Sequence, residues 1–173
     1  FLTERAYLNL SLRYQTDKLE YENSNKKELD FTKDFNGLYP TMNLAYTFNK
    51  KKGRMLSLGY RYYQSFPNFG YFFDVKEVYS DNSYSIGNPN LDPEHFHLAE
   101  LTYTHNKALN FVYSYRRGTD LVQVMTFTEE ENPLVSYTKP ENIGENHLHR
   151  FSVEARHSPF AWWFFKFTAR ANY

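Results

Sequence analysis

The chain has 173 residues, in which 20 basic side chains balance 20 acidic ones, and it contains no cysteine. That length suits one domain, the neutral balance gives no global electrostatic case for nucleic acid as a partner, and the missing thiols exclude disulfide frameworks and thiolate metal sites. Aromatic residues make up 20% of the chain, yet mean hydropathy is −0.72; so many rings in so polar a chain imply alternation, with one face apolar and the other wet.

The elements, taken in chain order, follow a period of two. In RAYLNLSLRY, Ala6, Leu8, Leu10, Leu12 and Tyr14 share a face opposite Tyr7, Asn9, Ser11 and Arg13. TMNLAYTF, RMLSLGYRYY, LNFVYSYR, HRFSVEARH and WFFKFTARANY alternate in the same way. This is the pattern of half-buried strands, and no comparable helical period competes with it. Eight strands are predicted, over 3–15, 18–23, 38–49, 54–66, 95–105, 108–128, 134–157 and 161–173. The connections at 16–18, 49–53, 106–107 and 158–160 are short, whereas those at about 23–38, 67–94 and 128–134 are long. Long loops sorted to one end of a meander point to an up-and-down transmembrane β-barrel, whose spanning strands need only about 9–11 residues each. The hairpin of 108–128 with 134–157 is therefore expected to project beyond the bilayer. No run approaches the ~18 apolar residues of a transmembrane helix. The opening FLTERAYLNL lacks the basic region of a signal peptide, which suggests a processed or excerpted chain.

The stretch IGNPNLDPEH interrupts this regularity. Pro89 and Pro93 fix φ and push Asn88 and Asp92 towards extended backbone, and Gly87 permits a tight entry. Together with FNGLYPTMNLAYTFNKKKGRMLSLGYRYYQSFPNFGYF before it and ENIGENHLHRFSVEA after it, this segment resembles the barrel of TonB-dependent outer-membrane receptors. The likeness is greatest to the outer-membrane β-barrel family among those receptors in Gram-negative bacteria, and it runs from about Ala6 to Tyr173. Its most specific element is Gly87, Asn88, Pro89, Asn90, Leu91, Asp92, Pro93 and Glu94, which in such receptors ends an external loop and feeds a descending strand.

The resemblance implies an all-β, antiparallel barrel segment (1–173, about eight strands of a barrel of about 22) in the cell outer membrane. It also implies outer-membrane lipid, a plug domain, the rest of the barrel and a periplasmic TonB system as partners. A surface lipoprotein or other outer-membrane complex subunits are further candidates. The plug and the TonB box are expected to lie outside this chain. A complete small barrel of eight strands is the alternative. The implied function is uptake of a scarce nutrient, such as a metal chelate, a glycan or a peptide. The rivals are a structural or assembly subunit without transport, and a soluble β-sandwich binding module.

Candidate sites are sparse. His95 and His97, like His147 and His149, have the i, i+2 spacing of a two-imidazole metal site. They share parity with the apolar set, however, so contact with lipid polar groups is the preferred reading and no metal is assigned. The acids Glu129–Glu131 read as a solvated loop tip. No triad, phosphate loop or zinc-protease helix is present, so neither enzyme activity nor a cofactor is expected. On the polar parity, Arg61, Arg116, Arg150, Arg156, Lys166 and Arg170 face Glu100 and Glu154. Such a basic lumen wall suits anionic solutes, or more plainly contact with a plug and lumen hydration. Phe66, Phe69, Tyr71, Phe72 and Phe73 form either an external ligand surface or the end of an aromatic girdle.

Overall fold

The computed structural model describes residues 5–22, 30–106, 108–160 and 163–173. Among these the chain forms one curled nine-stranded sheet and no α-helix. Seven long strands make the wall: β1 (Ala6–Tyr21), β2 (Phe31–Asn49), β3 (Arg54–Ser65), β6 (Glu94–His105), β7 (Leu109–Thr128), β8 (Ser136–Phe160) and β9 (Trp163–Asn172). Each pairs antiparallel with the next along the wall, which leaves β1 and β9 at its two edges. Between β3 and β6 lie a 3₁₀ turn (Phe69–Phe72) and the short strands β4 (Glu77–Ser80) and β5 (Ser83–Ser85). β5 runs parallel to Ser136–Thr138 of β8. The connections sort by length as the sequence implies: few residues separate β2 from β3, β6 from β7 and β8 from β9, and longer stretches separate the strands at the other end.

Register shows why the alternation matters. Leu8 pairs with Leu44, Leu44 with Leu58, Leu58 with Leu101, Leu101 with Tyr113, Tyr113 with Phe151 and Phe151 with Ala171. The next row towards the short turns runs Ala6, Tyr46, Leu56, Tyr103, Phe111, Val153, Ala169. One face of the whole wall is therefore a continuous apolar band, and none of the described residues covers it: Leu10 is 68% exposed and Phe167 63%. A single sheet layer with such a face is no sandwich, because a soluble protein would have to bury a patch of this size. Lipid is the solvent that suits it.

Two expectations are corrected. Thr16-Asp17-Lys18 is not a turn, because those residues pair with Asn36, Phe35 and Asp34, so the expected strands 3–15 and 18–23 are one strand. Above the apolar band the outward parity turns polar, with Thr16, Lys18, Asp34 and Asn36 exposed, while Phe35 and Leu19 on the other parity are covered, so polar composition no longer marks a turn there. Ser158-Pro159-Phe160 likewise belongs to β8. The wall thus has seven strands where eight were expected, with β4 and β5 added beyond it, and β1–β2 overshoots the spanning length as β7–β8 does. Most of the connection between β1 and β2, residues 23–29, lies outside the described residues.

Candidate functional site

The only packed core among the described residues sits at the long-loop end, where the β3–β6 connection folds back over the face opposite the band. Phe35 of β2, Phe72 of the 3₁₀ turn and Leu91 form a buried cluster, flanked by Leu19 and Val122. Leu91 is fully buried, and it belongs to the stretch that interrupts the sequence pattern.

That stretch is a latch. A Cβ at Gly87 would collide with the Phe73 carbonyl, whose carbon lies 2.6 Å away, so only glycine allows the two backbones to meet. The Asn88 amide N–H donates to the Tyr71 carbonyl at 2.6 Å. The Asn88 side chain is 4% exposed and satisfied on both sides. Its Nδ2 donates to the Pro140 carbonyl (3.0 Å) and Glu141 Oε2 (3.2 Å), and its Oδ1 accepts from the Asn90 amide (3.0 Å), an Asx turn set up by the prolines. Asn142 of β8 then pairs with the Asp92 backbone in both directions, donating to its carbonyl (2.9 Å) and accepting from its amide (2.8 Å). The same Nδ2 reaches the Asp120 carbonyl at 2.7 Å, where a bulge in β7 holds Asp120 at φ 56°. Lys33 of β2 donates to the Leu91 carbonyl and pairs with Asp92 at 3.2 Å. Glu94 opens β6 and accepts from the Val122 amide at 3.0 Å. Pro93 is buried beside it. One loop is thereby tied to β2, β7 and β8. Asn142 and Lys33 carried no signal in the sequence, because their partners lie about 50 residues away along the chain.

The aromatic loop divides. Phe72 is buried, so it leaves the expected external surface and serves as the anchor beneath it. Phe66, Phe69 and Tyr71 remain exposed, and Phe73 is half-buried. Phe69 and Phe73 meet edge to face with centroids 4.8 Å apart, and Tyr21 completes a ring triad at 4.5 Å from Phe73. The resulting groove, about 580 Å³, is walled by Tyr21, Tyr71, Phe73, Tyr79, Val124 and Pro140.

The basic residues lie on the face opposite the band. Arg61 and Arg116 flank Leu98 in one row; Glu100, Ser114, Arg150 and Asn172 form the next. Arg170 pairs with Ser152, and Arg156 with Lys166. Lys166 contacts Glu154 at 3.5 Å, and Arg150 Nε donates to Asn172 Oδ1 at 3.0 Å. Arg116 lies over the Phe96 ring and Arg61 over Tyr63. Arg13, on the same face over Tyr39, was not among the expected wall residues. Glu129 sits in the β7–β8 loop and accepts from the Tyr84 hydroxyl at 2.8 Å; this bond, more than burial, pushes the Tyr84 phenol up to about 12. Both histidine pairs lie on the apolar face, each imidazole Nδ1 against a tyrosine hydroxyl. Among the described residues no three His, Asp or Glu side chains gather where they could hold a metal.

A model of the outer membrane protein beta-barrel family matches residues 6–173. Among solved structures, the chain resembles the copper transporter OprC, with a TM-score of 0.64 at 14% identity over 99% of this chain. It spans 27% of that protein's length. At such identity the likeness shows the fold alone. No curated protein matches the sequence. The uncovered apolar band, the loops sorted by end and the family match over nearly every residue lead to one conclusion: the chain belongs to the outer membrane protein beta-barrel family and forms lipid-facing wall of an outer-membrane β-barrel.

Proposed function

We propose that the chain is part of the wall of a TonB-dependent receptor that takes up a scarce nutrient, such as a metal chelate, a glycan or a peptide. One observation carries this reading. The β3–β6 loop is latched over the polar face and presents an aromatic groove of about 580 Å³ at the long-loop end, above a face bearing Arg61, Arg116, Arg150, Arg156, Lys166 and Arg170. A rigid aromatic surface at the outer mouth suits ligand capture, and a basic polar face suits contact with an anionic solute or an acidic plug. The rest of the barrel would extend from the β1 and β9 edges, and a periplasmic TonB system would supply energy. No covalent chemistry enters the reading. The likeness to a transporter barrel in fold is consistent with it.

The test is growth. Cells lacking the gene would be grown in turn on limiting metal chelate, glycan or peptide. Loss on one source, reproduced by Phe69→Ala/Phe73→Ala in a protein still folded in the outer membrane, is the expected result. Unchanged growth on every source, with an outer-membrane complex that falls apart instead, would favour a structural subunit.

A further inference from the structure

The two histidine pairs are one device built twice. On β3 and β6, Tyr60 meets His97 Nδ1 at 2.8 Å and Tyr62 meets His95 Nδ1. On β7 and β8, Tyr113 meets His149 Nδ1 at 2.9 Å and Tyr115 meets His147 Nδ1 at 2.6 Å. Ring by ring the two agree closely. Tyr62 to His95 and Tyr115 to His147 are both 5.9 Å between centroids; Tyr60 to His97 and Tyr113 to His149 are both 6.2 Å. The remaining pair, Tyr62 to His97 and Tyr115 to His149, is 5.0 and 4.9 Å. A Tyr-x-Tyr strand beside a His-x-His strand, paired diagonally, thus occurs at two places in one wall.

Both copies lie at one depth. Tyr60 shares a row with Ala99 and Tyr115, so its counterpart Tyr113 sits two residues nearer the short turns, two strands further on. A stagger of one residue per strand is that of a barrel whose strands tilt by about 36°, within the range of transmembrane barrels. The β8–β9 closure steps in the same direction: Ala155 pairs with Leu109 at the base of β7, yet β8 continues to Phe160, which pairs with Trp163. The two copies therefore sit side by side where the apolar band gives way towards the long loops.

The side chains at that margin are rich in N–H donors. Tyr62, His97, Arg117 and His147 form one row across four strands, so the guanidinium stands between the two copies. Arg117 Nη2 and Nε each lie 2.8 Å from Glu145 Oε1, and His147 Nε2 lies 3.3 Å from the same oxygen. A carboxylate is thus already held by this arginine–imidazole pair. The other acid at the margin, Asp120, lies 3.9 Å from His95 Nε2. A tyrosine hydroxyl that donates to Nδ1 leaves Nε2, across the ring, as an N–H donor that an oxyanion can accept from. Four such imidazole N–H donors and one arginine, beside two acids, adjoin a face that lipid covers.

We propose that each Tyr–His unit, with Arg117 between them, binds the phosphate of a lipid headgroup in the leaflet on the long-loop side. The inference rests on the lipid-facing band and is independent of transport, so it stands or falls separately from the growth test.

The experiment uses the full-length protein purified from outer membranes in detergent and delipidated. A phosphorylated outer-leaflet glycolipid is titrated in and counted by native mass spectrometry. The same lipid stripped of phosphate, and inorganic phosphate alone, serve as the comparison probes. The expected result is at least tenfold preference for the phosphorylated lipid over either comparison. Two bound copies should fall to one in His95→Gln/His97→Gln and in His147→Gln/His149→Gln. Equal binding of the stripped lipid would overturn the proposal in favour of a plain aromatic girdle. Equal binding of free phosphate would mean an ion site, and binding of a divalent metal in place of lipid would mean a metal site. If a variant fails to assemble, the preference measured on the unmodified protein still decides.

Discussion

The apolar band and the latched crown above it are built on opposite plans. In the band, Leu8, Leu44, Leu58, Leu101, Tyr113 and Phe151 touch their cross-strand neighbours and otherwise face outward. Their burial is completed by lipid. In the crown, Leu91 and Phe72 are buried by the chain itself, Asn88 satisfies the Pro140 carbonyl, which is sealed from water, and Asn142 clamps the Asp92 backbone. The wall therefore depends on its solvent, and the crown on its own side chains. A substitution should have quite different consequences in the two regions.

The largest expected effect is Leu91→Ala. Truncating a fully buried leucine costs about 2–5 kcal/mol, and here the loss should stay local: hydrogen exchange at the amides of Asn88 to Leu91 accelerates while assembly into the membrane continues. Leu10→Ala, in the band, should leave exchange in the crown unchanged. Next comes Phe111→Arg, which places a charge among Tyr103, Tyr113 and Val153 on the lipid face and should cost about 2–4 kcal/mol if it lies near the bilayer midplane. Asn110→Arg, one residue away and opposite Glu154, should be tolerated. Heat-modifiable migration in electrophoresis reads both, and equal loss would overturn the assignment of faces. Asn88→Ala should cost about 1–3 kcal/mol by leaving the Pro140 carbonyl and the Asn90 amide without that partner. It should loosen the loop without moving the band.

The smallest effect is a titration in the crown. The Tyr84 phenol is raised, so whatever its bond to Glu129 contributes is present below the ordinary tyrosine value of 10 and is lost as pH rises through about 12. Phenolate absorbance should show a late-titrating component near 12, and Glu129→Gln should bring that component back towards 10.

The same division explains what the sequence discloses. A strand between lipid and water is written locally, because the alternation of Leu8, Leu10 and Leu12 against Asn9 and Ser11 needs no knowledge of the partner strand. The prolines of the latch likewise announce a stiff turn. What that turn grips was not legible, since Asn142 and Lys33 meet it only after β2 and β8 have found their register. Phe72 looked like its exposed neighbours until the loop folded beneath it. The error at Thr16-Asp17-Lys18 has the same root: past the band the outward parity becomes polar, and the other parity owes its burial to the β3–β6 loop, which the local sequence does not disclose. The Tyr-x-Tyr and His-x-His spacings were visible, but not the diagonal that joins them, which depends on which strands are neighbours.

The central claim is that one face of this wall meets lipid and the other water. The chain carries no cysteine, so single reporters stand out within it. Cysteine would be placed in turn at Leu58, Phe111 and Val153, then at Ser57, Asn110 and Ser152, in the full-length protein in native outer membranes. Each would be tested with a charged, membrane-impermeant maleimide and with a lipid-soluble one. The prediction is clean alternation, with the first three reached only through lipid and the second three only through water. Equal labelling of neighbours such as Asn110 and Phe111 by both reagents would contradict it.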